Sequence, residues 1–209
     1  KANMGRGFDL LPDAVIDQHF IARRRRQRLV GVLAAQPGLV GYGIDEGTAL
    51  IARGRKLEVV GTSTVSVLLA PEGKGAPGLR PLREQLLRQG SVADLTALRR
   101  SAATRAGGRY PPPGEVAPRV PRGALVLGGG GGMPPVIVRR FIELAGGPGA
   151  LIAIIPAAMA DPVPRNPGEE RMLSRGGARN LVVLQGRTLE DIEAGRFETV
   201  LSKARGVWF

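Results

Sequence analysis

Three polar residues end a short apolar stretch near the start of the chain, and the last of them is its single histidine. Residues 14–17 have the pattern of a buried strand that ends at Asp17, and Gln18 and His19 follow directly. Ligand sites of open α/β sheets lie at the carboxyl ends of strands, and an imidazole can act as a general base near neutral pH. The pattern predicts a site at this strand end. A structural histidine that caps the strand is the alternative.

A second polar cluster, which contains two carboxylates, favours a ligand site over a structural role for the histidine. Asp45 and Glu46 directly follow another apolar run. Strands are predicted over residues 39–44 and 49–52, so that the two carboxylates occupy the loop between them. Because polar groups follow both strands in the same way, we expect His19 and Glu46 to lie within hydrogen-bonding reach, or one water apart.

Arginines dominate the segment behind the histidine. A helix is predicted over residues 21–35, and at about 100° per residue its arginines fan around most of the helix. Some of them must therefore point toward the strand end and others toward solvent. The segment contains Arg23, Arg24, Arg25, Arg26 and Arg28.

The formal net charge of +12 comes almost wholly from arginine. Such a charge indicates an acidic ligand or nucleic acid, or a compositional bias toward Arg, Ala, Gly and Pro. Two tyrosines and one tryptophan offer little surface for base stacking, and no nucleic-acid recognition motif is present. The net charge favours a nucleic-acid partner, but the low aromatic content does not. We therefore expect no nucleic-acid partner. No membrane partner is expected either, because no apolar run is long enough to cross a bilayer.

Residue usage excludes several kinds of site. Cysteine is absent, which excludes disulfides, thiolate catalysis and cysteine-ligated metals. A single histidine also argues against a zinc site. At 209 residues the chain is long enough for one sizeable α/β domain. No signal peptide is visible in the sequence, which carries little weight here. A cytoplasmic location is the expectation, and secretion stays open.

Three short motifs occur in a fixed order and spacing. They are Asp17-Gln18-His19-Phe20, then Arg28-Leu29, then Gly43-Ile44-Asp45-Glu46-Gly47-Thr48-Ala49-Leu50. Together they resemble the cyanophycinase family of serine peptidases. The resemblance implies an exopeptidase that hydrolyses peptide bonds in cyanophycin, an aspartate polymer decorated with arginine, and releases beta-Asp-Arg dipeptides by serine acyl transfer.

The resemblance also implies a role for each motif residue. His19 would be the catalytic base, and Glu46 the carboxylate that fixes its tautomer. No metal or organic cofactor is implied, and a homodimer is expected. The alternative is a catalytically inactive relative that binds an acidic or zwitterionic polymer. The substrate-binding residues, whose arginines would pair with substrate carboxylates, would be Asp17, Gln18, Arg23, Arg25 and Arg28.

Two further strands, over residues 57–61 and 65–69, complete a small β-rich end piece. Glycine, proline and arginine then dominate residues 71–122, where no strand pattern occurs. Residues 82–106 are predicted to be helical, with a break near Gly90 and a capping-box start at residues 91–94. Proline-rich residues 110–121 are typical of an extended linker.

Strands and helices alternate from residue 123 onward. Strands are predicted over residues 124–127, 151–155 and 181–184, with a fourth beginning at residue 206, and helices lie between them. This alternation predicts an α/β fold with a doubly wound, mostly parallel, flavodoxin-like sheet.

A run of five glycines, residues 128–132, follows the first of these strands. No Gly-Lys-Ser/Thr comes after it and no acidic residue ends the next strand, so neither a P-loop nor a dinucleotide fingerprint is predicted. The resembling family also has a glycine turn after its first strand, followed by a segment like Ile155-Pro156-Ala157-Ala158. The resemblance therefore extends to this half.

The predicted segments stand in an order opposite to the family's. Residues 1–75 match the C-terminal-type half of the catalytic domain, residues 76–122 form a linker or tail, and residues 123–209 match its N-terminal-type half. We expect a circular permutation, or two pieces given out of order, with the catalytic-serine segment missing. Both ends of the chain, Lys1 and Phe209, are then expected near His19.

Ser63 is the one tempting nucleophile in the chain. It follows Gly61 and Thr62, but a nucleophile elbow needs a second glycine and a helix, whereas a β-branched strand follows here. We therefore expect that no serine of this chain contacts His19. The nucleophile would come from another segment or another chain, or the protein would be inactive.

Overall fold

The computed structural model describes residues 10–72, 80–111, 123–157, 159, 167–186, 188–193 and 195–209. The chain divides into two compact units, Lys1–Pro134 and Pro135–Phe209. The expectation for Lys1 and most of the predicted linker at 110–121 lie outside the described residues. Within the described ranges, every helix is too short or too polar to cross a membrane.

The first unit contains eight strands and two helices among its described residues. In chain order they are β1 (Ala14–Gln18), α1 (Arg26–Ala35), β2 (Val40–Ile44), β3 (Thr48–Arg53), β4 (Lys56–Gly61), β5 (Thr64–Leu69), β6 (Arg83–Arg88), β7 (Val92–Asp94), α2 (Leu95–Arg105) and β8 (Leu125–Gly128).

These strands form two four-stranded sheets. One has the order β1-β2-β5-β6 and the other β7-β4-β3-β8. Strands β1 and β2 are parallel, and every other pair in the two sheets is antiparallel. Short connections favour this arrangement, since β3 and β4 are joined by a tight turn at Gly54, whose φ is 57°.

One hydrophobic core is shared by both sheets and α2. Side chains of β2 and β5, in the first sheet, pack with those of β3 and β4, in the second. The core includes Val40, Tyr42, Ile44, Leu50, Leu57, Val59, Val65, Val67, Leu69, Leu87 and Leu98. Burial of this apolar surface is the main force that holds the sheets together.

A second cluster contains two buried leucines of α1, Leu29 and Leu33, together with Phe20, Leu68 and Ala70. It packs on β2 at its two glycines: a Cβ at Gly41 would lie about 3 Å from leucines of α1, and one at Gly43 would overlap the ring of Phe20. Glycine at position 43 therefore lets the Asp-Gln-His-Phe motif lie directly against the Gly-Ile-Asp-Glu strand.

The second unit has a three-stranded parallel sheet with the order β10-β9-β11. Its described elements are α3 (Pro135–Ala145), β9 (Leu151–Ile154), α4 (Gly168–Arg175), β10 (Asn180–Val183), α5 (Leu189–Glu193), α6 (Arg196–Leu201) and β11 (Gly206–Trp208). Strands alternate with helices in this part, as the sequence predicts.

The fold class is therefore confirmed at the level of α/β, with helices and mixed sheets. The doubly wound, mostly parallel, flavodoxin-like arrangement is not confirmed, because the two sheets of the first unit are largely antiparallel. Strand β8 was expected in the parallel sheet, but it pairs antiparallel with β3. The three-segment division at residues 75 and 122 stays a prediction.

Two helix predictions were wrong in their extent. Helix α1 begins at Arg26, not at residue 21, because a turn occupies the preceding residues and Arg24 has a φ of 50°. Residues 83–88 form strand β6, not helix, since pairing with β5 and burial of Leu87 outweigh local propensity. Helix α2 begins at Leu95, with Asp94 as the N-cap, so the capping box does not start at Ser91.

Candidate functional site

His19 lies in a constrained turn directly after β1. Its φ is 50°, its N–H donates to the carbonyl of Gly129 at 2.8 Å, and its carbonyl accepts from the N–H of Arg23 at 3.0 Å. Its side chain is 21% exposed. The backbone is thus held on both sides, while the imidazole remains accessible.

Glu46 lies beside His19 because the two strands that precede them are parallel. The register pairs Gln18 of β1 with Ile44 of β2, so both strands end at the same edge. The Nδ1 atom of His19 is 2.7 Å from Oε1 of Glu46, within the distance expected from the sequence. The glutamate side chain is 39% exposed.

This contact decides which imidazole nitrogen can accept a proton. A carboxylate accepts hydrogen bonds, so a neutral His19 carries its proton on Nδ1 and leaves Nε2 as a base. Glu46 would also stabilise the imidazolium that forms when Nε2 takes up a proton. The pair therefore has the geometry of a base and its orienting carboxylate, the roles that the resemblance implies for them.

Asp45 is buried and its carboxylate is occupied by structural hydrogen bonds. Oδ1 accepts from the N–H groups of Ile21 and Ala22, both at 3.0 Å, and Oδ2 accepts from the Ser63 hydroxyl at 2.8 Å. Burial raises the pKa of Asp45, but the hydrogen bonds from Ala22, Ser63 and neighbouring backbone outweigh it, so the pKa lies below its ordinary value. Asp45 thus holds the turn behind His19.

Ser63 lies in the turn between β4 and β5, and strand, not helix, follows it. Its hydroxyl donates to Asp45 and its N–H donates to the Thr48 hydroxyl at 2.8 Å. These contacts support the expectation that Ser63 is not the nucleophile.

Asp17 is buried and binds two of the predicted arginines. Nε of Arg28 donates to Oδ2 of Asp17 at 3.0 Å, and Nη2 of Arg28 bonds Oδ1. Arg25 reaches Asp17 at 3.4 Å and donates to the Gln18 carbonyl at 2.8 Å. The hydrogen bond to Asp17 raises the pKa of Arg28. Asp17, predicted to bind substrate, is thus placed to act through these arginines.

The other two predicted binding residues are exposed. Gln18 uses its side-chain N–H to donate to the carbonyl of Gly128 at 2.8 Å, which leaves its Oε1 oriented away from that bond. Arg23 is an exposed cation within the turn that follows His19. The structure thus brings Gln18, His19, Glu46 and the Asp17-bound arginines to one edge of the sheet.

The glycine run was not predicted to be part of this site. It lies against it: the carbonyl of Gly129 accepts from His19, and that of Gly130 accepts from the N–H of Gly47 at 3.1 Å. The sequence signal was present, because a glycine run after a strand indicates close approach of other groups to the backbone. The motifs considered for this run, the P-loop and the dinucleotide fingerprint, describe phosphate binding. Their absence therefore gave no information on whether the run contacts His19 and Glu46.

No cluster of three or more histidine or acidic side chains that could hold a metal occurs among the described residues. The side chains at this edge supply a base, a carboxylate beside it and two arginine cations held by Asp17, which are groups that general-base chemistry can use.

Comparison with known proteins gives a partial match. No family model matches the chain. The cyanophycinases of Trichormus variabilis and of Nostoc sp. are each 40% identical over 67 residues, which is 32% of this chain and 22% of the relative. The cyanophycinase of Geminocystis herdmanii is 37% identical over 67 residues, 25% of its length. The match spans a quarter or less of these relatives, and it supports a cyanophycinase-like family for the matched third of this chain.

Proposed function

We propose that the protein is a cyanophycinase-like serine-type peptidase, which hydrolyses the Asp-Arg polymer cyanophycin to beta-Asp-Arg dipeptides. The observation that carries the proposal is the 2.7 Å contact between His19 Nδ1 and Glu46 Oε1. Partial similarity to cyanophycinases supports it. The geometry alone indicates a base–carboxylate pair, and the similarity suggests which reaction the pair serves.

In the proposed mechanism, Nε2 of His19 takes the proton from a serine hydroxyl as that oxygen attacks the scissile carbonyl. Glu46 stabilises the resulting imidazolium. The imidazolium then gives its proton to the leaving amine, and a water molecule, activated in the same way, hydrolyses the acyl-enzyme. No cofactor takes part in the proposal.

Substrate binding is proposed for Gln18, Arg23, Arg25 and Arg28. The guanidinium groups of Arg25 and Arg28 are held by the buried Asp17, so they would meet the substrate carboxylates with little loss of side-chain entropy. The free amide oxygen of Gln18 would accept a hydrogen bond from the substrate.

The nucleophile is proposed to come from outside the described residues, because the Ser63 hydroxyl is engaged by Asp45. A further segment or another chain of a homodimer would supply it. The proposal also includes a permuted order of the family's halves and a flavodoxin-like sheet in the whole enzyme. It further includes a cytoplasmic location and the absence of nucleic-acid and membrane partners.

The test is release of dipeptide from purified cyanophycin, with and without a serine-directed inhibitor. The proposal expects release by the full protein, loss of release with the inhibitor, and loss in His19→Ala. Generic DNA serves as a second ligand: a shift that weakens with salt would instead favour a nucleic-acid binder.

An inactive polymer-binding protein is the alternative, and the engaged Ser63 hydroxyl is the observation that favours it. Under this alternative, the protein would sediment with cyanophycin and would release no dipeptide at any protein concentration. Its binding would be weakened by Arg28→Ala but not by His19→Ala, whereas the hydrolase loses turnover in His19→Ala and has a raised KM in Arg28→Ala.

A further inference from the structure

Two glycines of the run lie so close to the His19–Glu46 pair that they leave no room for side chains of their own. Gly130 and Gly131 have φ values of 82° and 71°. A Cβ built on Gly130 would lie 2.5 Å from Cε1 and Nε2 of His19, and one built on Gly131 would lie 2.5 Å from Cγ and Oε2 of Glu46. The next residue, Gly132, has a φ of 96° and nothing within 4 Å of such a Cβ.

Four hydrogen bonds fix the run to the strand ends that carry the pair. The carbonyls of Gly128, Gly129 and Gly130 accept from Gln18, His19 and Gly47 respectively. The N–H of Gly129 donates to the carbonyl of Thr48 at 2.8 Å. The backbone therefore cannot retreat easily, whereas the atoms that an added Cβ would meet belong to the outer parts of two flexible side chains.

We propose that Gly130 and Gly131 are positioning residues for the base–carboxylate pair. Their missing side chains leave the space in which the imidazole and the carboxylate meet, so any side chain at either position pushes its partner out of the 2.7 Å contact. The consequence for catalysis rests on the function proposed above, but the consequence for the geometry of His19 does not.

The experiment compares Gly130→Ala and Gly131→Ala with two controls. Gly132→Ala is the matched neighbour, and Gly90→Ala, in the turn between β6 and β7, has a φ of 80° and open space around its Cβ. All four positions have a positive φ, between 71° and 96°, so every variant carries backbone strain, and only the first two add a collision with the pair. Gly131→Ala moves only Glu46, so it remains informative if Gly130→Ala fails to fold.

The first readout is the ¹⁵N spectrum of the chain's single imidazole in alkaline buffer, where its tautomer can be assigned. Wild type and both controls are expected to keep the proton on Nδ1. Gly130→Ala and Gly131→Ala are expected to shift to a mixture of tautomers. Retention of the wild-type spectrum in both, or an equal change in Gly132→Ala, would overturn the proposal.

The second readout is hydrolysis of cyanophycin. In Gly130→Ala and Gly131→Ala, kcat is expected to fall on the order of 100-fold, as for a misplaced catalytic group, with KM changed by less than about threefold because the arginines are untouched. Controls should stay within about threefold in both constants. A wild type without hydrolysis would contradict the proposed function, and the ¹⁵N spectra would still decide the positioning role.

Discussion

Asp45 and Glu46 are adjacent in the chain but have opposite surroundings. Asp45 is 9% exposed and accepts hydrogen bonds from Ile21, Ala22 and Ser63. Glu46 is 39% exposed in its side chain and contacts His19. One carboxylate is saturated by structural bonds, and the other has capacity left for a partner whose charge changes during a reaction.

The same contrast separates Asp17 from His19 two residues later. The Asp17 carboxylate is buried and binds two arginines, whereas the His19 side chain is 21% exposed. Saturated groups therefore build the frame, and the groups with a free atom are the ones that can react. The predictions below test this division, beginning with the largest expected effect.

His19→Ala removes the proposed base. We expect dipeptide release to fall on the order of 10⁴-fold, the upper range for general-base catalysis, while the melting temperature changes little because the side chain is partly exposed. Steady-state kinetics and thermal unfolding measure the two effects. Retention of a tenth of the wild-type turnover would rule out His19 as the base. Gln36→Ala, at the end of α1, is the control variant and should keep the wild-type turnover.

Asp17→Asn tests the saturated cluster under the arginines. Loss of the carboxylate leaves Arg25 and Arg28 without their shared anion, and we expect unfolding to become easier by about 2 kcal/mol, since the ion pairs are only partly buried. The arginines would also lose their fixed orientation, so KM should rise more than kcat falls. Urea unfolding and kinetics provide the measurements. An unchanged KM would contradict a substrate-binding role for these arginines.

Asp45→Asn tests the pH dependence of the frame. The pKa of Asp45 is lowered in the folded protein, so its contribution to stability is present above the ordinary aspartate pKa and is lost as pH falls through the folded pKa. We expect wild type to be more stable than Asp45→Asn at pH 6 by about 1–3 kcal/mol, with the difference shrinking as the pH approaches 3. Urea titrations at both pH values measure it. A difference that is constant with pH would contradict the assignment.

Ser63→Ala should have the smallest effect. The variant loses one hydrogen bond to Asp45, which is expected to cost about 1 kcal/mol of stability, and dipeptide release should stay within about twofold of wild type. A serine-directed reagent followed by peptide mapping provides an independent measurement. Labelling of Ser63, with loss of activity in the alanine variant, would make Ser63 the nucleophile and reverse its place in the comparison.

The sequence determined which groups could meet at the candidate site. Polar residues at the ends of two apolar strands predicted the proximity of His19 and Glu46, and the strand patterns of β2 to β5 predicted those elements to within one residue. These features are local, because a buried strand can be recognised from its own apolar run and from the turn residues at its ends. The roles of the site residues remain predictions.

Only the tertiary structure decided what surrounds the pair. Strand β8 pairs with β3, more than 70 residues away in the chain, and this pairing brings Gly130 and Gly131 onto the side chains of His19 and Glu46. Strand β6 likewise forms where local propensity favoured a helix, because β5 offers a free edge. Such pairings depend on which strand edges remain unpaired once the sheets assemble. A local sequence pattern does not predict which edges these are.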